Sequence, residues 1–360
     1  MKKRLLAAVM AFVLAFSFTA CGDSQTQTAP DGQQASVQHR VYGEKIIDYI
    51  MDGEGIEPVC EYGYTKISSD EMSDGINKIF EEYNESAAKE VLDTATEYAS
   101  WHEEYPDDDM PQYAMDKTVS VTRADDHAVS FVEMNYSYAG GVHPNTYYAA
   151  FNFDAETGKK LSLSDVVSDK NAFIDEVIQK VTSKYPDEIF QGEDGLRESL
   201  SEDTLTWSLG YDGITVIFSP YEIASYAAGM LNVTVPYEEE SIYADVPEDY
   251  VIPMDMISRI EIDGKDLNVI GDYAYDLDYV GTVKTITVSY GDESDSCDAS
   301  YMSITPYYVK KGDSQFVYIA CRLQDDTYLA EVFEIKDGKP QYSKQIEGIS
   351  YGGIFTETSF

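Results

Sequence analysis

The sequence predicts an α+β fold, with helices packed on a mostly antiparallel sheet, followed by a small all-β C-terminal domain. Two long stretches, 73–102 and 164–185, carry apolar residues at steps of three and four, which is typical of helices with one buried face. Elsewhere apolar and polar residues alternate, as they do in half-buried strands. At 360 residues the chain has room for two domains and a leader.

The first predicted domain covers residues 39–240. Its first helix, 73–102, has Asp74 near its start and Pro106 beyond its end, which are common signals at helix termini. Its second helix, 164–185, opens at Ser164-Asp165 and is ended by Tyr185-Pro186. The strands of this domain are expected at 39–47, 57–67, 118–121, 129–138, 146–153, 205–209, 214–218 and 231–235.

The second predicted domain covers residues 251–360 and follows an acidic linker at 241–250. Its turns contain Gly264, Gly312 and Gly338, and glycine between two strand-like runs is a strong hairpin signal. About a hundred residues suffice for a small sandwich or barrel but not for a propeller. The strands are expected at 257–262, 267–270, 283–289, 316–321, 328–335 and 341–346.

The charge balance narrows the classes of partner. Sixty-six acidic residues against twenty-five basic ones give a net charge of −41. A field of this sign repels nucleic-acid backbones and anionic membrane surfaces, so we expect no nucleic-acid partner. The same field attracts cations and basic proteins. Thirty tyrosines suit half-buried strands and wet binding surfaces, because the ring packs while the hydroxyl stays hydrogen-bonded.

The N-terminal residues resemble a bacterial lipoprotein leader. Lys2, Lys3 and Arg4 precede an apolar run at 5–16, which is too short to span a bilayer, and small residues then lead to Cys21. The resemblance implies cleavage before Cys21, a lipid on its sulfur and attachment to the extracytoplasmic face of the cell membrane. The segment 21–38 is rich in polar residues and is interpreted as a flexible tether. The alternative is ordinary secretion, in which Cys21 has no special role.

Three further cysteines allow two interpretations. Cys297 and Cys321 lie in one region, and an exported chain could join them in a disulfide. The alternative is that these thiols, together with Cys60, stay unpaired.

Three linked motifs resemble one family of bacterial cell-envelope domains of unknown function. They are YSYAGGVHPN at 136–145, TGK followed by LSLSD within 157–165, and GITVIFSPYEIASYAAG at 213–229. The family is shared by the outer part of RsiV, a lysozyme-sensing anti-sigma factor, and by the N-terminal part of some polysaccharide deacetylases. The likeness covers roughly residues 39–240 and not the remainder.

The resemblance implies a binding module rather than a catalyst, with a basic protein such as lysozyme as the expected partner. It points to one group of partner-binding residues: Gly140, Gly141, His143, Pro144, Asn145, Tyr221, Glu222 and Tyr226. The chain departs from the family at Ser225, where proline is common.

The residues of the first motif also predict a bend on their own chemistry. Two glycines permit positive φ angles, and Pro144 restricts His143 to an extended conformation. In one interpretation His143 only holds this bend by hydrogen bonds. In the other, His143 and Asn145 lie on an exposed rim close to Tyr221 and Tyr226 and contact a partner.

Patterns of catalytic and metal-binding residues are weak. The four histidines form no HExxH pair, and the sequence has no G-x-S-x-G elbow, phosphate loop or dinucleotide fingerprint. The acidic runs at 107–109 and 292–298 fit no EF-hand and are interpreted as solvated loops. We therefore expect no enzyme activity, metal or cofactor. The alternatives are a peptidoglycan- or polysaccharide-modifying enzyme or its accessory subunit, and a structural surface lipoprotein.

Overall fold

The computed structural model describes residues 36–52, 58–104, 113–201, 204–254, 259–275, 281–325 and 327–349. The predicted leader, the lipid site Cys21, nearly all of the tether and the acidic run at 107–109 lie outside these residues. Within them the fold is mixed, with mostly antiparallel sheets and an all-β C-terminal region, as the sequence predicts.

The N-terminal part is a five-stranded sheet with one long helix across it. Helix α1 (Asp74–Glu104) buries Ile76, Phe80 and Val91 against the sheet, while its glutamates face solvent. The strands lie in chain order: β1 (Tyr42–Met51), β2 (Pro58–Ser68), β3 (Tyr113–Ala124), β4 (Ala128–Tyr138) and β5 (Asn145–Asp154). Strands β2 and β3 are parallel, because α1 carries the chain back to the same end of the sheet, and the other pairs are antiparallel.

Three shorter helices and a small antiparallel sheet follow. The expected single helix at 164–185 is wrong: α2 (Leu163–Val166) ends early and α3 (Lys170–Lys184) starts anew. The restart occurs at Asp169, whose carboxylate accepts the backbone N–H groups of Asn171 and Ala172 as an N-cap. The remaining elements are α4 (Glu193–Ser199), which was not predicted, and β6 (Thr206–Leu209), β7 (Ile214–Phe218) and β8 (Leu231–Val235).

The two faces of the small sheet differ in chemistry. One face packs Val216 and Val233 against Val177 and Val181 of α3 in an apolar core. The opposite face carries hydroxyl and amide side chains: Ser208, Thr215, Asn232 and Thr234.

Side-chain hydrogen bonds join the small sheet to the large one. The backbone N–H of Leu209 on β6 donates to Ser130 Oγ at 3.0 Å and to Asn152 Oδ1 at 3.2 Å. Asn152 Nδ2 donates to the carbonyl of Trp207 at 2.8 Å. Because Ser130 and Asn152 are buried on β4 and β5, these bonds fix how β6 crosses the large sheet.

The C-terminal region is a β sandwich of a four-stranded and a five-stranded sheet. Its interior includes Ile286, Val317 and Phe333. The first sheet contains β10 (Arg259–Ile262), β11 (Lys265–Tyr275), β12 (Gly281–Tyr290) and β13 (Glu293–Tyr301). The second has the order β17 (Lys339–Ile349), β16 (Tyr328–Lys336), β15 (Ser314–Arg322), β14 (Ser303–Lys311) and β9 (Asp249–Pro253). The acidic run at 292–298 is therefore mostly strand β13, not a loop.

The segment 241–250 is packed rather than a loose linker. Tyr243 is buried, and its carbonyl accepts from Arg123 Nη1 at 2.7 Å. Arg123 is itself fully buried and pairs with Asp125 at 2.8 Å. A guanidinium withdrawn from water needs such partners, so this segment is held to the end of β3. Strand β9 already begins at Asp249.

The cysteines of the described part are free thiols. This holds for Cys60, Cys297 and Cys321, so the disulfide between Cys297 and Cys321 is not formed and the unpaired alternative is the one that the structure contains. Burial, reinforced by the nearby Glu331, raises the pKa of the Cys297 thiol to about 11.

Among the described helices, none combines the length and the apolar character needed to cross a bilayer.

Candidate binding surface at the glycine bend

The bend lies between the end of β4 and the start of β5. Gly140 and Gly141 have φ angles of +76° and +135°, a region that side-chain-bearing residues rarely adopt. A Cβ atom at Gly141 would meet nothing within 4 Å, so the backbone conformation, not crowding, requires glycine there. Tyr138 closes the bend by donating its hydroxyl to the carbonyl of Gly141 at 3.0 Å.

His143 connects the bend to the second motif. Its Nδ1 lies 2.8 Å from the carbonyl oxygen of Pro144, which can only accept, so Nδ1 carries a proton. In the neutral imidazole Nε2 then accepts from the Tyr221 hydroxyl, 3.2 Å away. The imidazole also stacks on Tyr226, with ring centroids 4.0 Å apart and an interplanar angle of 18°.

The second motif forms a tight turn after β7. Tyr221 has a φ of +71°, an unusual conformation for an aromatic residue, and its N–H donates to the Ala224 carbonyl at 3.1 Å. The Glu222 carboxylate accepts from the backbone N–H of Ser219 at 2.9 Å. Ser219 Oγ in turn accepts from the N–H of Tyr148 at 3.0 Å, which fastens the turn to β5.

Three side chains on the two turns and on the segment beside the second turn project into solvent. Val142 is fully exposed, and Tyr221 and Phe190 expose 58% and 60% of their surface. Phe190 comes from the connection between α3 and α4, and its N–H donates to the Ile223 carbonyl at 2.8 Å. We call Val142, His143, Phe190, Tyr221 and Tyr226 the bend surface.

The structure brings together most of the residues that the sequence singled out. Gly140, Gly141 and Pro144 shape the bend around His143, which contacts Tyr221 and Tyr226. Asn145 is exposed at the start of β5. Glu222 bonds within its own turn, so its role there is to hold the backbone.

Sequence reasoning missed Phe190. A single phenylalanine in a mostly polar segment is a weak sequence signal for a binding site. Phe190 lies beside Ile223 because a backbone bridge joins Ile189 to Ala224, and the sequence does not indicate this bridge. Behind the bend, burial raises the pKa of the Tyr136 and Tyr148 hydroxyls, so these phenols stay neutral at physiological pH.

The bend surface offers recognition chemistry. Exposed aromatic groups are typical anchors of protein interfaces, and the imidazole adds a ring nitrogen already held in place. In the part of the chain that the structure describes, no group of three or more His, Cys, Asp or Glu residues is arranged to hold a metal ion.

Two family models match the two parts of the chain that form the bend surface. The fold and site define an α+β module with exposed aromatic side chains beside a glycine bend. The family of proteins of unknown function DUF3298 matches residues 164–238, and the family described as Deacetylase PdaC matches residues 56–146. Residues 164–238 are therefore similar to a DUF3298 domain. The PdaC match includes His143, and the DUF3298 match includes Tyr221 and Tyr226.

Two solved structures are similar to this chain. A DUF3298 family member from Bacteroides fragilis is 17% identical, with a TM-score of 0.42, and the alignment covers 55% of this chain and 90% of that one. A DUF3298 family protein from Pseudomonas aeruginosa is 15% identical, with a TM-score of 0.38 and the same two coverages. No curated protein matches the chain.

Proposed function

We propose that this protein is an extracytoplasmic binding protein, attached to the membrane by a lipid on Cys21, whose bend surface captures a basic protein such as a lysozyme-like enzyme. The observation that carries the proposal is a set of exposed apolar side chains, Val142, Phe190 and Tyr221, on and beside two turns that an imidazole joins by two contacts. Aromatic anchors such as Phe190 and Tyr221 supply much of the binding energy at many protein interfaces.

The charges around Phe190 support a cationic partner. Residues 187–194 contain no basic residue. They contain four carboxylates, all of them exposed: Asp187, Glu188, Glu193 and Asp194. An apolar centre with a charged rim is the usual anatomy of an interface, and an acidic rim selects a basic partner and speeds association. The net charge of −41 on the whole chain also attracts a basic partner.

The direct test measures lysozyme capture by the mature protein at two salt concentrations. We expect binding that weakens as salt rises, since the rim charges are exposed and screened. Phe190→Ala and the double variant His143→Ala/Tyr221→Ala should each weaken binding at least tenfold, whereas Ile242→Ala, at an equally exposed apolar position, should not. Undiminished capture by a folded double variant would contradict the proposed site.

The rim has its own matched control. Asp187→Asn/Glu188→Gln and Glu239→Gln/Glu240→Gln remove the same charge from exposed positions, but only the first pair lies beside Phe190. We expect the first double variant to slow association more than the second. Equal effects would mean that overall charge, not the rim, attracts the partner.

The lipid anchor is tested separately. Cys21→Ala should release the protein from membranes into the medium, because a lipid can no longer be attached to that sulfur. Continued membrane association of this variant would contradict the anchor without touching the binding proposal.

A second candidate function follows from the match of residues 56–146 to the family described as Deacetylase PdaC. In this alternative the protein acts on wall polysaccharide or accompanies an enzyme that does. Release of acetate from an acetylated wall fragment by the purified protein, abolished by His143→Ala, would favour it over simple capture.

A further inference from the structure

Strand β1 forms an open edge of the large sheet. It has ten residues, and in the described part of the chain its one neighbouring strand is β2. The opposite edge strand, β5, differs, because its Tyr148 N–H is bonded to Ser219 in the turn after β7. An edge strand of this length presents a row of backbone groups to which another strand can add.

The backbone groups of β1 that point away from β2 follow from their alternation. In an antiparallel pair, the N–H and C=O of one residue point to the same side, and successive residues alternate. A Cβ atom at Gly63 on β2 would lie 2.6 Å from the Ile46 carbonyl oxygen, so the groups of Ile46 point toward β2. The Tyr49 N–H, which belongs to the other set, donates to Asp48 Oδ1 at 2.8 Å. The outward set is therefore Gly43, Lys45, Ile47 and Tyr49.

The middle of β1 lacks the usual protections of an edge strand. Natural edges are blunted by a proline, a bulge or a lysine that projects from the edge. Strand β1 contains no proline, and its pairing with β2 becomes irregular only between Ile50 and Met51. Its single basic residue, Lys45, donates to Asp116 Oδ2 at 2.5 Å and to Thr118 Oγ1 at 2.9 Å, both on β3. The ammonium is thus held over the sheet and does not guard the edge.

One face of β1 offers exposed apolar side chains. Ile47 and Tyr49 are two positions apart, so they lie on the same face, and they expose 50% and 46% of their surface. Side chains of an added strand would lie directly beside them, about 5 Å away. This face therefore suits apolar residues at every second position of the added strand.

The other face of β1 is acidic. Asp48 and Glu44 are both exposed there. The Tyr62 hydroxyl donates to Asp48 at 3.1 Å, but among the described residues no basic side chain pairs with this carboxylate. Lys66 lies opposite Glu44 in the register, so it balances at most one of the two charges. A second copy of β1 would bring further carboxylates to this face, whereas basic side chains would complement it.

We propose that β1 binds an extended segment of a partner protein in which basic and apolar residues alternate. The segment adds as an antiparallel strand, which is the slightly more stable orientation, and exchanges backbone hydrogen bonds with Lys45 and Ile47. Its apolar side chains lie beside Ile47 and Tyr49, and its basic side chains lie beside Asp48. Main-chain bonds supply affinity and the alternating side chains supply specificity, as in other complexes formed by strand addition.

The test titrates the mature protein with a capped heptapeptide of alternating lysine and valine and follows amide hydrogen exchange by NMR. We expect saturable binding and at least tenfold slower exchange at Lys45 and Ile47, whose N–H groups point outward. Exchange at Ile46 and Asp48, which already face β2, should change less than twofold. No saturable binding, or equal protection of both sets, would overturn the proposal.

Two modified peptides separate strand addition from simple attraction of charges. In the antiparallel arrangement the valines lie on the face of Ile47 and Tyr49, and their N–H groups point to β1. Methylating the backbone nitrogens of the three valines should therefore weaken binding at least tenfold. Methylating those of three lysines keeps the charge and leaves the bonding N–H groups free, so affinity should change less than threefold. Equal affinities of the two peptides would overturn the proposal.

Protein variants test the same edge from the other side. Ile47→Pro removes an outward N–H without removing a bond to β2, so it should weaken binding at least tenfold. Asp48→Lys should weaken binding at least threefold, whereas Glu85→Lys, the equivalent change at an exposed position of α1, should not. Undiminished binding by either folded β1 variant would contradict the site. A dimer of the protein that Ile47→Pro abolishes would also overturn the proposal, because it would assign the edge to a second copy.

This site is independent of the bend surface. Three strand spacings, about 14 Å, separate β1 from β4, where the bend begins. The double variant His143→Ala/Tyr221→Ala should therefore bind the heptapeptide as the original protein does, and Ile47→Pro should retain lysozyme capture. Failure of peptide binding and failure of lysozyme capture are thus distinguishable.

Discussion

His143 stacks on Tyr226 at a centroid distance of 4.0 Å while its Nε2 is 3.2 Å from the Tyr221 hydroxyl. One imidazole therefore joins the glycine bend to the turn after β7. A recognition surface that is ordered before binding loses little conformational entropy on association. The interpretation in which His143 holds the bend and the one in which it contacts a partner are thus compatible.

Two glycines should respond differently to the same change. Gly141→Ala should cost about 1 kcal/mol of unfolding free energy, because only the positive φ opposes a side chain. Gly213→Ala should cost a further ~2 kcal/mol, since its Cβ would lie 2.3 Å from a backbone oxygen of β8. Urea denaturation measures both, and equal losses would contradict the steric account.

The buried pair of Arg123 and Asp125 should be a major contributor to stability. Arg123→Met leaves Asp125 charged and buried, so we expect a loss of about 3–5 kcal/mol. Arg197→Met breaks an exposed ion pair with Asp175 and should cost about 0.5 kcal/mol or less. Denaturant midpoints of the two variants measure these losses of stability. Similar losses in both variants would contradict the prediction that the buried pair of Arg123 contributes more than an exposed ion pair.

Asp212 should make the protein less stable as pH rises. Its folded pKa of about 6 lies above the ordinary value of 3.8, so the folded state holds the proton more tightly. Stability from this group is present below pH 4 and is lost as pH rises through 6. After allowance for its remaining contact with solvent, the loss is on the order of 2 kcal/mol. The thermal stability of Asp212→Asn should not decline between pH 4 and pH 7. If the variant shows the same decline as the original protein, the decline does not come from Asp212.

The thiol of Cys297 should alkylate slowly in the folded protein. With a pKa of about 11, roughly one molecule in three thousand carries the reactive thiolate at pH 7.5. Iodoacetamide labelling followed by mass spectrometry should show rapid modification only after unfolding. Recovery of a peptide pair joining Cys297 to Cys321 would instead establish the disulfide that the structure lacks.

Strong local patterns predicted most of the fold. Strands β7 and β8 were predicted at their observed bounds, since β-branched residues alternate there between a buried core and a polar face. Strand β13 was missed because it is rich in serine and aspartate, and its half-buried positions hold small or polar side chains, namely Asp295, Cys297 and Ala299. The parallel pairing of β2 with β3 depends on how α1 crosses the sheet, which no local pattern encodes.

The candidate site was only partly predictable. Glycine and proline chemistry indicated the bend, and the resemblance of the motifs associated His143 with Tyr221 and Tyr226. Phe190 joins them through backbone contacts with residues more than thirty positions away, at Ile223 and Ala224. The pocket lined by Asp212 and Ile260 lies between the small sheet and β10, which are far apart in sequence, so its residues form no sequence motif.

The pairing of His143 with Tyr221 spans 78 positions of the chain. A synthetic peptide copying either motif would lack the other half, and so cannot imitate the assembled surface. Antibodies raised against the native protein at this place should therefore recognise a conformational epitope, and their binding would report that both parts of the N-terminal region have folded together.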